Sequence, residues 1–192
     1  MNAKYIRIAE IHIGCIEKGF LSSLGASFLA LLYQAIDESD NSTLILAEEE
    51  GRIIGFVAGT LGIKQVYRTM TEYWGRLFFA LAPSLFSARK LRRILEVLLY
   101  SKDPGIPGQD VPSAELLSIS VVKEYRGKQH ADRLYQEVIK FFKSRATSRF
   151  KITAGESLTA AHSFYRRMGA KAIGKIEVHK GENSILFVQE VL

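Results

Sequence analysis

The hydrophobic positions of the chain change period several times, and each change marks an element. Lys4-Tyr5-Ile6-Arg7-Ile8 alternates and predicts a short strand. Ala9, His12, Ile13, Ile16 and Phe20 then recur at helical spacing, with Gly19 and Gly25 as punctuation. Phe28, Leu32, Ala35 and Ile36 predict a second helix, ended by the polar run 37–42. Two apolar, β-rich runs, 43–47 and 53–60, flank the turn Glu49-Glu50-Gly51-Arg52 and predict a β-hairpin. Residues 116–122 are nearly continuously apolar, the pattern of a central, buried strand. Ala131, Leu134, Tyr135, Val138 and Phe142 fall on one face of a long amphipathic helix. Residues 150–154 predict another strand. Ala161, Phe164, Tyr165 and Met168 predict a short helix that Gly169 stops. Residues 173–178 and 184–191 predict a closing hairpin around Gly181.

Residues 61–113 do not fit this rhythm. Trp74, Leu77, Phe78 and Leu81 make one helical stripe, and Leu91, Ile94, Leu95 and Leu98 a second, with Pro83 between them. The run SKDPGIPGQDVP then reads as a loop. The segment is too short to fold alone. The chain therefore reads as a single domain over 1–192 carrying a helical insertion at 61–113. Such an apolar surface serves a core, a substrate lid or a homodimer interface, or makes peripheral membrane contact, here through 74–99.

At 192 residues, 47% hydrophobic and 24% charged, the chain has enough apolar mass for a core and does not resemble a disordered sequence. A single cysteine, Cys15, excludes an internal disulfide and a Cys-rich zinc site. His12, His130, His162 and His179 lack metal-ligand spacing, and no metal is expected. The opening MNAKYIRIAE lacks a basic start followed by a long apolar run, so no signal peptide is expected and the chain is read as cytoplasmic. The net charge of +6 is uneven. Residues 121–151 hold 9 basic and 3 acidic residues, a block of +6, whereas residues 1–60 hold 4 basic and 8 acidic, −4. A block of this kind suits nucleic acid, a membrane surface or a phosphorylated small molecule, or is a solvated helix face. It lacks interleaved exposed aromatics, and no nucleic acid partner is expected.

The block lies on one strand–turn–helix unit, LLSISVVKEYRGKQHADRLYQEVIKFF. At the start of its helix the backbone N–H groups have no intrahelical partner, and the helix dipole favours an anion there. Arg126 and Lys128 add positive charge, and Gly127 permits close backbone approach. These are the elements of a diphosphate site. The unit resembles the acetyl-CoA-binding motif of the GNAT superfamily of N-acetyltransferases, in which a strand ending in Val leads to Arg/Gln-x-x-Gly-x-Gly/Ala. Here Val121 stands five residues before Arg126, and Ala131 matches the last position. Gln129 replaces the family's middle glycine. A second segment, Ala161-His162-Ser163-Phe164-Tyr165-Arg166-Arg167-Met168-Gly169-Ala170, resembles the family's A-x-x-F/L-Y-x-x-x-G-F/A helix, with Leu158 where the family often has Asn.

The resemblance implies an α/β (α+β) fold with a mixed, mostly antiparallel central sheet flanked by helices. It implies acetyl-CoA as co-substrate, in a V-shaped opening between two parallel strands. Backbone amides near Ile119, Ser120 and Val121 would hold the thioester and pantetheine arm, and Arg126, Gly127, Lys128, Gln129, His130 and Ala131 the diphosphate. Cys15 is read as packing, and His130 as an exposed loop residue beside the phosphate. Tyr165 would protonate the leaving thiolate and Glu115 would take the proton of a primary amine, with Glu48, Glu49, Glu50 and Glu156 as rival bases. The acceptor stays open between a small molecule, an amino sugar among them, and a protein amine. Two alternatives stay open as well: a longer acyl donor beneath the apolar insertion, and a CoA-binding module without chemistry.

Overall fold

A computed structural model of the chain describes residues 2–16, 21–73, 75, 106, 108–179 and 182–191. Its first element corrects the strand expected over 4–8. Residues Ala3–Cys15 form a helix, α1, whose inner face carries Tyr5, Ile8, Ala9, Ile11 and His12. Those positions satisfy helical spacing across a wider window than the five alternating residues span. Asn2 supplies the start signal, its Oδ1 accepting the Lys4 N–H at 3.0 Å. A 3-10 turn, Leu21–Leu24, leads into α2, Ala26–Glu38. Lys4 Nζ and Tyr5 OH both donate to Asp37 of α2, at 2.7 and 2.8 Å, and pin the two helices together.

The hairpin of β1, Ser42–Glu49, and β2, Arg52–Thr60, forms as expected. Glu50 and Gly51 both have positive φ, 51° and 72°, as a two-residue type I′ turn requires. A helix α3, Ile63–Thr71, follows. Its Val66 and Met70 are fully buried with α1 and α2, so the first turns of the 61–113 segment belong to the core. The two apolar stripes expected at 74–81 and 91–98 lie, Gly75 apart, outside the described residues. After them come β3, Glu115–Val121, a 3-10 turn, Lys123–Tyr125, and α4, His130–Ser144. Then β4, Arg149–Gly155, and α5, Thr159–Arg167, lead to the closing pair β5, Lys171–His179, and β6, Glu182–Glu190.

The strands form one six-stranded sheet in the order β1-β2-β3-β4-β6-β5. All neighbours are antiparallel except β3 and β4. The fold is thus the mixed, mostly antiparallel α/β sheet that the sequence resemblance implies. One face carries α1, α2 and α3 over Phe56 and Ala58, and the other carries α4 and α5 over Val57, Leu116, Phe150, Ile152 and Phe187. Gly59 sets the fit of α4 on β2, because a Cβ there would lie 2.8 Å from Val138 Cγ2 and 3.2 Å from Phe142 Cζ. No helix among the described residues is long and apolar enough to cross a membrane.

Candidate active site

The parallel neighbours β3 and β4 stay together only at their N-terminal ends, where Glu115 pairs with Lys151 and Leu116 with Ile152. Beyond Leu116, β3 keeps its pairing with β2 up to Gly55↔Val121, but it has no β4 partner. This opens the sheet along residues 117–121, on the edge that faced β4. The register with β2 also slips: Ala58 opposes Ser118 and Gly59 opposes Leu116, leaving Leu117 as a bulge. Leu116 packs beneath α4 and α5 whereas Leu117 packs beneath α1–α3. Glu115, next to Leu116, faces the α1–α3 side, where its charge acts on Tyr67 of α3. Ile119 packs beneath α4, and Ser120 is buried.

At the end of β3 the chain turns sharply. The Val121 carbonyl accepts Arg126 Nε at 2.9 Å and the Cys15 thiol at 3.6 Å, which fixes the turn and gives Cys15 a structural contact. Gly127 and Gln129 have φ of 80° and 63°, so the backbone passes twice through the left-handed region before α4 begins. Gln129 is the N-cap of α4 and makes no side-chain capping bond. A cleft of about 390 Å³ opens here, lined by Val121, Tyr125, Arg126, Gly127, Gln129, His130 and Ala131, with Phe164 and Arg167 of α5 on its other wall. Six of the nine cofactor residues expected from the sequence therefore meet at one cleft. Lys128 stands beside it, its ammonium 5.0 Å from the Tyr125 ring centre and 3.9 Å from Glu49. His130 opens α4 with only 14% of its side chain exposed, 3.5 Å from Glu49, rather than standing free in a loop.

Tyr165 is 7% exposed and shares its buried cluster with Leu116 and Val121 of β3 and Ile152 and Ala154 of β4, the strands on both sides of the opening. Its ring packs against Tyr135, Phe164 and Phe187. Burial holds its phenol above the ordinary tyrosine value, so it stays protonated at any working pH. Glu115 receives Thr153 Oγ1 at 3.4 Å and lies 3.8 Å from Lys151 Nζ. Burial pushes Glu115 up to about 7 and Lys151 down to about 8. Of the rival bases, Glu49 lies 3.9 Å from Lys128 and 3.5 Å from His130, Glu156 is held by Lys175 at 2.5 Å, and Glu48 and Glu50 are exposed.

Sequence reasoning missed Lys151, Thr153 and Tyr67 around Glu115. The available signal was Lys151 itself, a lone cation inside the apolar run Phe150–Ala154. Buried strand positions accept a lysine when a partner carboxylate is near. His162 is buried, with Nε2 3.0 Å from the Gly155 carbonyl, and anchors α5 to the end of β4. Among the described residues no group of three or more His, Cys, Asp or Glu side chains is placed to hold a metal ion.

The parallel pair thus parts along one strand edge and runs into a cationic loop at a helix N-terminus. The chain belongs to the acetyltransferase (GNAT) family, whose model matches residues 8–170. Solved structures share the fold at low identity. An aminoglycoside 6'-N-acetyltransferase complexed with coenzyme A is 12% identical with a TM-score of 0.60, covering 100% of this chain and 93% of its own. The ribosomal-protein-S18-alanine N-acetyltransferase of Escherichia coli is 10% identical with a TM-score of 0.58, covering 100% and 90%. A GNAT-family protein of Desulfovibrio desulfuricans is 11% identical with a TM-score of 0.62, covering 100% and 95%. A search of curated protein sequences finds no significant match.

Proposed function

We propose that this protein transfers an acetyl group from acetyl-CoA to a primary amine by direct attack. One observation carries the reading. Tyr165 and Glu115 lie on opposite faces of the sheet, Tyr165 packed with residues of both parting strands and Glu115 in the paired stretch just before they part, one a protonated phenol and the other a carboxyl near neutrality. In this reading a thioester held where the strands part takes its proton donor from the Tyr165 face, and the amine that attacks it gives a proton toward the Glu115 face. Glu115 takes the proton of the attacking amine, directly or through a water. The new C–N bond forms as the C–S bond breaks, Tyr165 donates its phenolic proton to the leaving sulfur, and solvent then takes the proton from Glu115 and restores the one on Tyr165. The free edge of residues 117–121 supplies backbone groups to the acyl and pantetheine portions, and the loop 126–131 supplies N–H groups and cations to the diphosphate.

The acceptor is a small amine or a protein amine. The solved relatives include enzymes whose names specify each kind, an aminoglycoside and a ribosomal-protein alanine. A panel of amines assayed by CoA release identifies it. On the best acceptor, Tyr165→Phe lowers kcat while leaving the Kd for CoA nearly unchanged. Glu115→Gln lowers kcat/KM and removes a limb that rises through about pH 7 in the wild-type profile. A Tyr165→Phe enzyme with unchanged kcat excludes Tyr165 as the acid. A wild-type limb that persists in Glu115→Gln excludes Glu115 as the base.

A further inference from the structure

Glu49 ends β1, immediately before the Glu50-Gly51 turn, so a tight hairpin sets its position. Its carboxylate faces the start of α4. Oε2 lies 3.5 Å from His130 Nε2, and Oε1 lies 3.9 Å from Lys128 Nζ. Neither Oε2 nor His130 Nε2 carries exposed surface or makes a hydrogen bond within the protein, although the Glu49 side chain as a whole is 39% exposed. The carboxylate is thus turned inward, onto two of the polar groups assigned to the diphosphate. Two further cations at this end of α4 are also engaged: Arg126 donates to the Val121 carbonyl, and Arg167 of α5 donates to Asp132.

A diphosphate at this loop needs the groups that Glu49 holds. It also meets the Glu49 charge at close range, where two anions repel. Resting on the reading that this loop takes the diphosphate of CoA, we propose that Glu49 sets the affinity of that subsite. It holds Lys128 and His130 in competition with the diphosphate, so that bound CoA is released readily after transfer.

The proposal predicts that removing the charge tightens the site. Calorimetry with CoA on wild type and Glu49→Gln gives a Kd lower in the variant by about three- to tenfold, the size expected for one partly exposed charge. The KM for acetyl-CoA falls with it. Acetylpantetheine, which lacks the diphosphate, is turned over with the same kcat/KM by both proteins. In a Lys128→Met background the gain from Glu49→Gln shrinks, because one of the two groups in competition is gone. If wild type binds CoA but Glu49→Gln binds it equally or more weakly, Glu49 does not compete with the diphosphate, and the assignment of the loop still stands. Equal gains for CoA and acetylpantetheine also overturn the proposal, because the effect then does not run through phosphate. A wild-type protein that binds no CoA at millimolar concentration overturns the diphosphate assignment itself, and the role of Glu49 with it.

Discussion

At the scale of the residue, the two departures from the family pattern fall on the same structural position. Gln129 is the N-cap of α4 and Leu158 is the N-cap of α5, and neither side chain makes a capping bond. Gln129 sits at φ 63°, where a Cβ is crowded and glycine is not, which explains in physical terms why a glycine suits this place. Leu158 is 44% exposed and offers the helix no acceptor where asparagine would. Both departures therefore cost stability at a helix start without removing a group that touches the opening. Gln129→Gly and Leu158→Asn should each raise the unfolding free energy by about 1 kcal/mol. Urea denaturation of the two variants measures this directly. A loss of stability in Gln129→Gly would mean that the glutamine side chain makes a compensating contact.

At the scale of the element, α1 carries a buried titratable group that links it to α2. His12 is 4% exposed, and its Nδ1 lies 2.5 Å from the Tyr33 hydroxyl, a hydrogen bond whose direction follows the imidazole tautomer. Burial lowers His12 from 6.5 to about 4. The unfolded chain takes up a proton near 6.5 and the folded chain only near 4, so acid favours unfolding between those values. A shift of this size removes about 3 kcal/mol of stability as the pH falls from 6.5 to 4. His12→Gln keeps a hydrogen-bonding group for Tyr33 but cannot titrate. Its unfolding free energy should fall less than that of wild type over this window, by about the same amount. Parallel pH slopes for the two proteins would show that His12 does not stay neutral in the folded state. The same helix shows how far the elements were legible. The strand–turn–helix at 116–142 and the helix ending at Gly169 follow from period and turn chemistry, because each is long or has a strong stop. Residues 4–8 do not, since Ile6 and Ile8 alternate with Arg7 over a window too short to fix a period, whereas Tyr5, Ile8, Ala9 and His12 recur at helical spacing over a longer one that Asn2 caps. The opening between β3 and β4 has no local signal at all. It arises where two strands distant in sequence part after Leu116 and Ile152, so Lys151, Thr153 and Tyr67 come together around Glu115 only in the folded sheet.

At the scale of the whole molecule, the basic block at 121–151 does not form one cationic face. Lys151 is buried against Glu115, Arg149 pairs with Asp110 at 2.6 Å, and Lys140 pairs with Glu137 at 2.6 Å. Arg145 covers the Phe141 ring at the far end of α4. Arg126 and Lys128 stand at the cleft, joined there by Arg167 from α5. A ligand held by so few cations has a gentle dependence on salt, whereas nucleic acid spread over the whole block would have a steep one. CoA at one hundred times its Kd adds about 2.7 kcal/mol to the unfolding free energy. For a chain of this size that corresponds to a rise in Tm of roughly 5–10 °C. Thermal unfolding with CoA should show a rise of this order that declines only gradually between 50 mM and 500 mM NaCl, about a tenfold change in ionic strength. Acetylpantetheine should give a smaller rise that salt leaves unchanged, because it carries no phosphate to screen. A DNA or RNA oligonucleotide that raises Tm more than CoA at low salt, and loses the effect by 200 mM, a range of roughly the kind over which phosphate-backbone contacts weaken, would reassign the block to nucleic acid.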